Sequence, residues 1–383
     1  MSSIRALTIG IDAANLRRGG GVTHLKEVLH AVQPYKNGIH RVVVWAGSET
    51  LNLIKDQSWL EKRHPPELDF GLIRRSIWQR YKLSRSAREA GCDILFIPGG
   101  SYAGNFHPAV TMSRNLLPFE FSELQRYGYS FFTLKLLLLR AIQSYSYKKA
   151  DGIIFLTDYA RSTVLGVTGK LRGKTSIIPH GLNPRFNQMP KLQQPINDYS
   201  DIQPYRIIYV STIDQYKHQW NVVEAVAALR KEGFPIVLDL VGPAYPPALD
   251  KLNNSINLLD PERAWVKVSG AVPFEVLHEQ YTKADLGIFA SSCENMPNIL
   301  LETMASGLPI ACSCLGPMPE ILGDAGVYFD PEKPSEIICA LRKMIESPKL
   351  RAELANLSHS YSMEYSWQRC ADSTFEFLAS FAK

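Results

Sequence analysis

The chain has 383 residues, 45% of them hydrophobic, 10% aromatic and 21% charged, with a formal net charge of +5. That length exceeds the usual span of one hydrophobic core and points to two domains, and the ordinary composition excludes disordered and fibrous classes. The charge is unevenly spread: residues 1–190 hold 26 Lys and Arg against 13 Asp and Glu, a balance of +13, which leaves −8 for the remainder. A basic half beside an acidic half points to an anionic surface or substrate met by one domain only. The six cysteines (Cys92, Cys293, Cys312, Cys314, Cys339 and Cys370) lack the paired spacing of a zinc site, and Cys312 and Cys314 read as buried free thiols suited to a reducing compartment.

In chain order, apolar β-rich runs fall at 7–11, 42–46, 94–97, 110–112, 153–156 and 176–178, separated by helical-period segments such as 22–32, 77–90 and 133–149. The opening stretch MSSIRALTIG shows no leader-cleavage pattern, and the leucine cluster at 134–139 is too short and too charged to span a bilayer. Residues 186–205, rich in Gln, Pro, Asn and Asp, read as a linker. Beyond them the strand–helix habit resumes, with strands expected at 207–210, 237–241, 266–268, 286–289 and 309–312. Helices are expected at 221–231, 276–283 and 365–381. The alternation implies α/β domains with parallel sheets covered on both faces. The expected boundaries are a first domain at 1–187, a linker at 188–204, a second domain at 205–364 and a helix at 365–383 packing back on the first.

The stretch from Leu286 to Cys314 carries the densest chemistry. A strand runs into a loop, then a helix opens near Pro297 and ends before Gly307, with Pro309 starting the next strand. In an open α/β sheet ligands gather beyond the carboxyl ends of strands, where the next helix aims N–H groups outward. Asn298, Ile299 and Leu300 are placed to offer those groups to a diphosphate. Glu294 and Glu302 bracket the helix start with seven residues between them, and carboxylates suit paired sugar or ribose hydroxyls. Taken alone, two such glutamates are more often solvated charges.

The Glu–x7–Glu element in CENMPNILLETMASGLP (293–309) resembles that of glycosyltransferase family 4, with its GT-B fold of two Rossmann-like domains facing each other across a cleft. Further motifs follow in the family's order: GGGVTHL at 19–25, ADGIIFLT at 150–157, IPHGLN at 178–183, YVSTIDQYKH at 209–218, VSGAVPFEVL at 268–277 and GPMPEIL at 316–322. The resemblance spans nearly the whole chain. It implies a retaining, metal-independent hexosyltransferase that moves a sugar from a UDP- or GDP-sugar to a glycan or lipid-linked glycan, as in surface polysaccharide, lipopolysaccharide or glycolipid synthesis.

It also implies residue roles. Glu302 would hold the donor ribose and Glu294 would touch the transferred sugar near the reacting carbon. Lys217 would neutralise the leaving diphosphate. Gly20 and Gly21 would let the first loop approach the donor phosphates. Val272 would lie by the nucleobase. The chain departs from the pattern at Thr212, where many members carry an arginine, and at VTMSRNLLPFE (110–120), where many carry an acceptor-side histidine. Arg114 or Asn115 is the acceptor-side candidate here, with Arg114 a second candidate phosphate cation. His107 and His180 read as structural histidines.

No Asp-x-Asp motif occurs, so neither metal nor cofactor is expected. The basic stretch 74–88, with Ile77, Trp78 and Tyr81 at helical spacing, divides evenly between a solvated face and a contact with an anionic membrane surface. For 133–149 packing of the leucines onto the sheet is the preferred reading. Nucleic acid is not an expected partner. The location implied is cytoplasmic, with peripheral attachment to the inner membrane face as an extension. Three other readings stay open on this fold: a non-catalytic sugar-nucleotide or glycan-binding protein, a nicotinamide-dependent oxidoreductase, disfavoured by the absence of GxGxxG, and a nucleotide-sugar epimerase.

Overall fold

The computed structural model describes residues 6–17 and 19–382; the reading of the opening stretch as free of a leader falls partly on residues 1–5, outside the described residues. The chain forms two compact units. The first comprises Met1–Glu120, Tyr129–Gly181 and Ser366–Lys383, and the second comprises Phe121–Gly128 and Leu182–Tyr365.

The first unit is built on a parallel sheet of seven strands: β1 (Leu7–Asp12), β2 (Ile39–Trp45), β3 (Leu60–Arg63), β4 (Ile94–Ile97), β5 (Ala109–Met112), β6 (Gly152–Phe155) and β7 (Lys174–Ile177). Their order across the sheet is β3-β2-β1-β4-β5-β6-β7. The second unit holds six parallel strands: β8 (Tyr205–Val210), β9 (Ile236–Val241), β10 (Val266–Gly270), β11 (Leu286–Phe289), β12 (Ile310–Ser313) and β13 (Val327–Phe329). Their order is β10-β9-β8-β11-β12-β13. All residues of β4, β5, β6, β11 and β12 are buried, as strands covered by helices on both faces must be. The edge strands β3 and β13 carry no long apolar run, which is why the hydrophobic pattern did not reveal them.

In each sheet the strand order reverses once, between β1 and β4 in the first and between β8 and β11 in the second. At such a point the two neighbouring connections leave in opposite directions and open a crevice beyond the strand ends. The loops after β8 and β11 carry Lys217 and Glu294.

Several sequence expectations need correction. The basic segment expected at 77–90 is two helices, Leu72–Tyr81 and Leu83–Glu89, broken at Lys82. The Phe131–Lys149 helix does not pack most of its leucines onto the sheet: only Leu136, Gln143, Ser146 and Tyr147 are buried, while Leu134, Leu138 and Tyr145 stand 63%, 61% and 63% exposed. Cys312 is buried within β12, but Cys314, one residue past the strand end, is exposed.

The segment 188–204 is not a free tether. Arg351, fully buried, donates from Nε to Gln193 Oε1 (3.0 Å), from Nη2 to the Gln194 carbonyl, and from Nη1 to the carbonyls of Met344 (2.7 Å) and Ile345 (2.6 Å). Its guanidinium also lies over the Tyr205 ring at 5.3 Å. This anchorage runs through backbone oxygens, which hydrophobic periodicity cannot register. Gly307 ends the Asn298–Ala305 helix at φ 67°, and a Cβ there would lie 2.7 Å from the Gln188 carbonyl oxygen. The segment therefore belongs to the second unit. Residues 121–128, expected within the first domain, belong there too, and the closing helix Trp367–Ala379 belongs to the first unit, where Lys174 Nζ sits over the Phe381 ring at 5.2 Å.

Replacing Arg351 with alanine leaves several buried carbonyls without donors and is expected to destabilise the second unit by about 3 kcal/mol. Arg351→Lys should recover only part of this, because an ammonium cannot reproduce the guanidinium fork. Urea unfolding of both variants checks the point, and an unchanged midpoint for Arg351→Ala would refute the anchoring role.

Candidate functional site

After β8 the chain forms a short turn, Gln215–Lys217, capped by Asp214, whose Oδ1 accepts from the Gln215 N–H at 2.7 Å. His218 follows in the left-handed region (φ 51°) and turns the chain into the helix Gln219–Lys231. The geometry drives Lys217 inward, where it is only 6% exposed. Its Nζ donates to Glu294 Oε1 and lies 5.0 Å from the Tyr216 ring centre and 5.2 Å from that of Phe289. A buried ammonium needs such a counter-charge, because its desolvation would otherwise outweigh the packing. The structure thus brings Lys217 and Glu294 into direct contact.

The Asn298–Ala305 helix begins beside this pair in sequence, but its first turn is partly occupied. The Asn298 N–H donates to the Met296 carbonyl at 3.0 Å and that of Leu300 to the Pro297 carbonyl at 2.9 Å. The expectation that Asn298, Ile299 and Leu300 all offer amides is therefore corrected. Among the described residues Ile299 is the one of the three whose N–H makes no such turn bond.

Glu302 lies within the helix and is buried. Burial pushes its carboxyl up to about 8, with the neighbouring Tyr281 hydroxyl and the Arg185 guanidinium working against that rise. Its Oε2 is buried without a hydrogen-bond partner among the described residues. An unsatisfied buried oxygen costs stability and calls for an explanation.

Val272 follows β10 and packs, half-buried, against the core formed by Phe186, Ile208, Val210 and Val241. Thr212 is exposed, and its carbonyl accepts from Gln219 Nε2 at 3.0 Å. It brings no charge to Lys217.

Gly20, Gly21, Arg114 and Asn115 belong to the first unit. Gly20 and Gly21 open the helix Gly20–Ala31, and a Cβ on Gly21 would lie 2.7 Å from Arg114 Nη1. Glycine is thus what lets the guanidinium lie against the helix start. Arg114 Nε is buried without a partner among the described residues, and burial pulls the group down to about 10. Asn115 is exposed and accepts from the Leu117 N–H at 3.2 Å.

His180 stacks edge-on with His24, ring centres 4.8 Å apart, and both lie 5.9 Å from Trp367. Burial first, then the Arg114 charge, pulls His180 down to about 3, so it is neutral. His107 pairs with Asp151 at 2.7 Å. Both histidines occupy structural settings.

Sequence reasoning missed the residues that hold the Lys217 turn. Tyr209 donates to the Lys217 carbonyl at 2.9 Å, and His218 Nε2 meets Ser292 Oγ at 3.0 Å. Both stand inside quoted motifs, so their positions were visible although their partners were not.

Residues 198–359, almost all of the second unit, match the family model described as Glycosyl transferases group 1. The O-antigen chain mannosyltransferase B of Escherichia coli is 23% identical over 241 residues, 60% of this chain and 60% of that protein. A D-inositol 3-phosphate glycosyltransferase of Thermomonospora curvata is 25% identical over 185 residues, 45% of this chain and 42% of the relative. The match thus spans less than two-thirds of the length of these relatives.

Among solved structures, the sucrose-phosphate synthase of Thermosynechococcus elongatus superposes with a TM-score of 0.74 at 15% identity, covering 97% of this chain and 98% of the other. Anabaena HepE in complex with UDP-glucose gives 0.71 at 16% identity, covering 98% and 100%. The two parallel-sheet α/β units are those of the GT-B glycosyltransferase fold.

The raised Glu302 carboxyl sets a sign for stability. Its folded value of about 8 exceeds the ordinary 4.5, so stability falls as pH rises from 4.5 through 8 and the penalty saturates above that, at an order of about 5 kcal/mol. Glu302→Gln is expected to be as stable as the parent near pH 4.5 and more stable at pH 8.5. Thermal unfolding at the two pH values checks this; a variant less stable at pH 8.5 would show that the carboxylate is satisfied after all.

Proposed function

We propose that the chain is a retaining, metal-independent glycosyltransferase that moves a hexose-type sugar from a UDP- or GDP-sugar to a glycan or lipid-linked glycan. The observation that carries this reading is the Lys217–Glu294 pair at the strand-order reversal of a unit matched by the glycosyl transferase family model. The mannosyltransferase and inositol-phosphate glycosyltransferase relatives, and the neighbours solved with UDP or UDP-glucose, support a nucleotide-sugar donor.

In this mechanism Lys217 and Glu294 neutralise one another until the donor arrives. The diphosphate then takes the ammonium, and Glu294 is released to accept hydroxyls of the transferred sugar. The Ile299 amide adds the partial positive charge of a helix start. As the bond from the anomeric carbon to the phosphate oxygen breaks, the acceptor hydroxyl attacks from the same face, and its proton passes to the departing phosphate. Glu302, with its unpartnered oxygen, would receive the ribose hydroxyls. By the family resemblance, Gly20, Gly21 and Arg114 are assigned to the phosphates and the acceptor, and Asn115 to the acceptor. In this reading cationic and dipolar groups would carry the charge stabilisation. A sugar-nucleotide-binding protein without turnover is the second reading, favoured by the uncharged Thr212 where many family members carry an arginine.

We also propose an acceptor carried on a lipid at an anionic membrane surface. Leu134, Leu138, Ile142 and Tyr145 form an exposed stripe on the Phe131–Lys149 helix, beside Lys135 and Lys148. A cavity of about 600 Å³ lies between this helix and Leu72–Tyr81, lined by Leu72, Arg80, Tyr102, Ile142, Tyr145 and Lys149. Apolar walls with cations suit an anionic amphiphile. No helix among the described residues is long and apolar enough to cross a membrane, so attachment would be peripheral.

Two experiments test these proposals. Turnover of one donor from a panel of UDP-, GDP-, ADP- and dTDP-sugars, unaffected by chelator and lowered at least a hundredfold in Lys217→Ala and Glu294→Ala, is expected. Binding without turnover in the presence of lipid-linked acceptors would favour the second reading. Flotation with phosphatidylglycerol vesicles should recover the protein, with recovery lowered several-fold in Leu134→Glu/Leu138→Glu; equal recovery on neutral vesicles would refute the electrostatic part.

A further inference from the structure

The chain segment 121–128 interrupts the first unit, yet it folds as part of the second, and it touches both loops that present Lys217 and Glu294. Glu123, on the short helix Phe121–Gln125, is only 4% exposed. Its Oε2 accepts from Ser292 Oγ at 2.9 Å and from Arg126 Nε at 2.7 Å, and its Oε1 accepts from Arg126 Nη2 at 3.0 Å. Arg126 continues to Glu332.

The hydrogen bonds run in one direction. Burial, then the Arg126 charge, pulls His218 down to about 4, so the ring is neutral, and its Nε2 can donate to Ser292 Oγ at 3.0 Å. The single Ser292 hydroxyl hydrogen is then free to go to Glu123 at 2.9 Å, the Tyr216 carbonyl being a more distant acceptor at 3.3 Å. The Ser292 N–H meanwhile donates to the Tyr216 carbonyl at 2.8 Å. Tyr216 and His218 flank Lys217, and Ser292 stands two residues before Glu294. Glu123 therefore ends a chain of bonds that ties the two loops together.

A second tie comes from the same segment. The Tyr127 hydroxyl donates to Asp214 Oδ1 at 2.8 Å, the oxygen that also caps the Gln215–Lys217 turn. Burial and the Asp214 charge push the Tyr127 phenol up, which keeps its proton in place for this bond.

We infer that Glu123 and Tyr127 are positioning residues, which fix the Lys217 and Glu294 loops in the geometry that receives a nucleoside diphosphate. The inference rests on the donor-site reading of Lys217. Neither residue needs to touch the ligand: Glu123 acts through Ser292 and His218, and Tyr127 acts through Asp214.

The test is calorimetric binding of UDP and GDP to the full chain as Glu123→Gln, Tyr127→Phe and Lys217→Ala, singly and with each of the first two combined with Lys217→Ala. Tyr127→Phe removes one oxygen and serves where Glu123→Gln folds poorly. Each positioning variant should weaken binding about tenfold with a thermal midpoint close to the parent's, and should cause no further loss once Lys217 is alanine. A purely structural role would lower the midpoint and leave affinity unchanged in folded protein. Parent-like affinity in both variants, or equal losses with and without Lys217, would overturn the inference while leaving the donor site standing. Parent-like affinity in Lys217→Ala, or no binding of either nucleotide to the parent, would instead remove the donor-site reading and this inference with it.

Discussion

The buried ion pair of Lys217 and Glu294 is the constraint around which the second unit is arranged. An ammonium that is 6% exposed is tolerable only with a carboxylate against it, and the two come from loops 77 residues apart in sequence. They meet because β8 and β11 are neighbours in a parallel sheet, so their carboxyl ends emerge side by side. The reversal of strand order at that pair sends the following helices to opposite sides and leaves room between the loops. The rings of Tyr216 and Phe289 lie within about 5 Å of the ammonium and add cation–π contacts to its pairing.

Two other buried charges in the same unit show how structural and functional burial differ. Arg351 is fully buried, and carbonyl oxygens and one carboxamide surround its guanidinium, so its charge is spent on holding 193–194 to the ends of two helices. Glu302 is nearly as buried but keeps an oxygen without a partner, and burial pushes its carboxyl up to about 8. A residue chosen for stability alone would not remain in that state. The contrast leaves Glu302, unlike Arg351, with a buried oxygen that the fold itself does not satisfy.

Much of this arrangement is legible in the residues, and the reasons for the rest are physical. Central strands such as Ile94–Ile97 and Leu286–Phe289 announce themselves because both faces are buried. The edge strands Leu60–Arg63 and Val327–Phe329 are half-buried in part and too short for a period to emerge. The spacing of Glu294 and Glu302 points to their shared loop and helix, while the pairing of Lys217 with Glu294 depends on sheet order, which no local pattern encodes. The same holds for 121–128: its ties to Ser292 and Asp214 are single polar contacts, invisible to periodicity and made across 169 and 87 residues. Polar anchorage likewise hid the true character of 188–204.

The first unit poses the opposite problem, too much apolar surface where the leucines of 133–149 were expected to be covered. A helix that buries four of its nineteen residues gains little from the sheet beneath it, yet it retains Phe131, Leu134, Leu138, Ile142 and Tyr145 in solvent. Solvated faces are ordinarily polar, and a continuous apolar stripe invites association unless something covers it. The cations beside it argue for the covering material: Lys135 and Lys148 on the helix, and Arg74 and Arg80 on Leu72–Tyr81, would repel a second basic face and attract an anionic one. On the proposed membrane reading, apolar contact and counter-charge would act together, so neither would have to be strong alone.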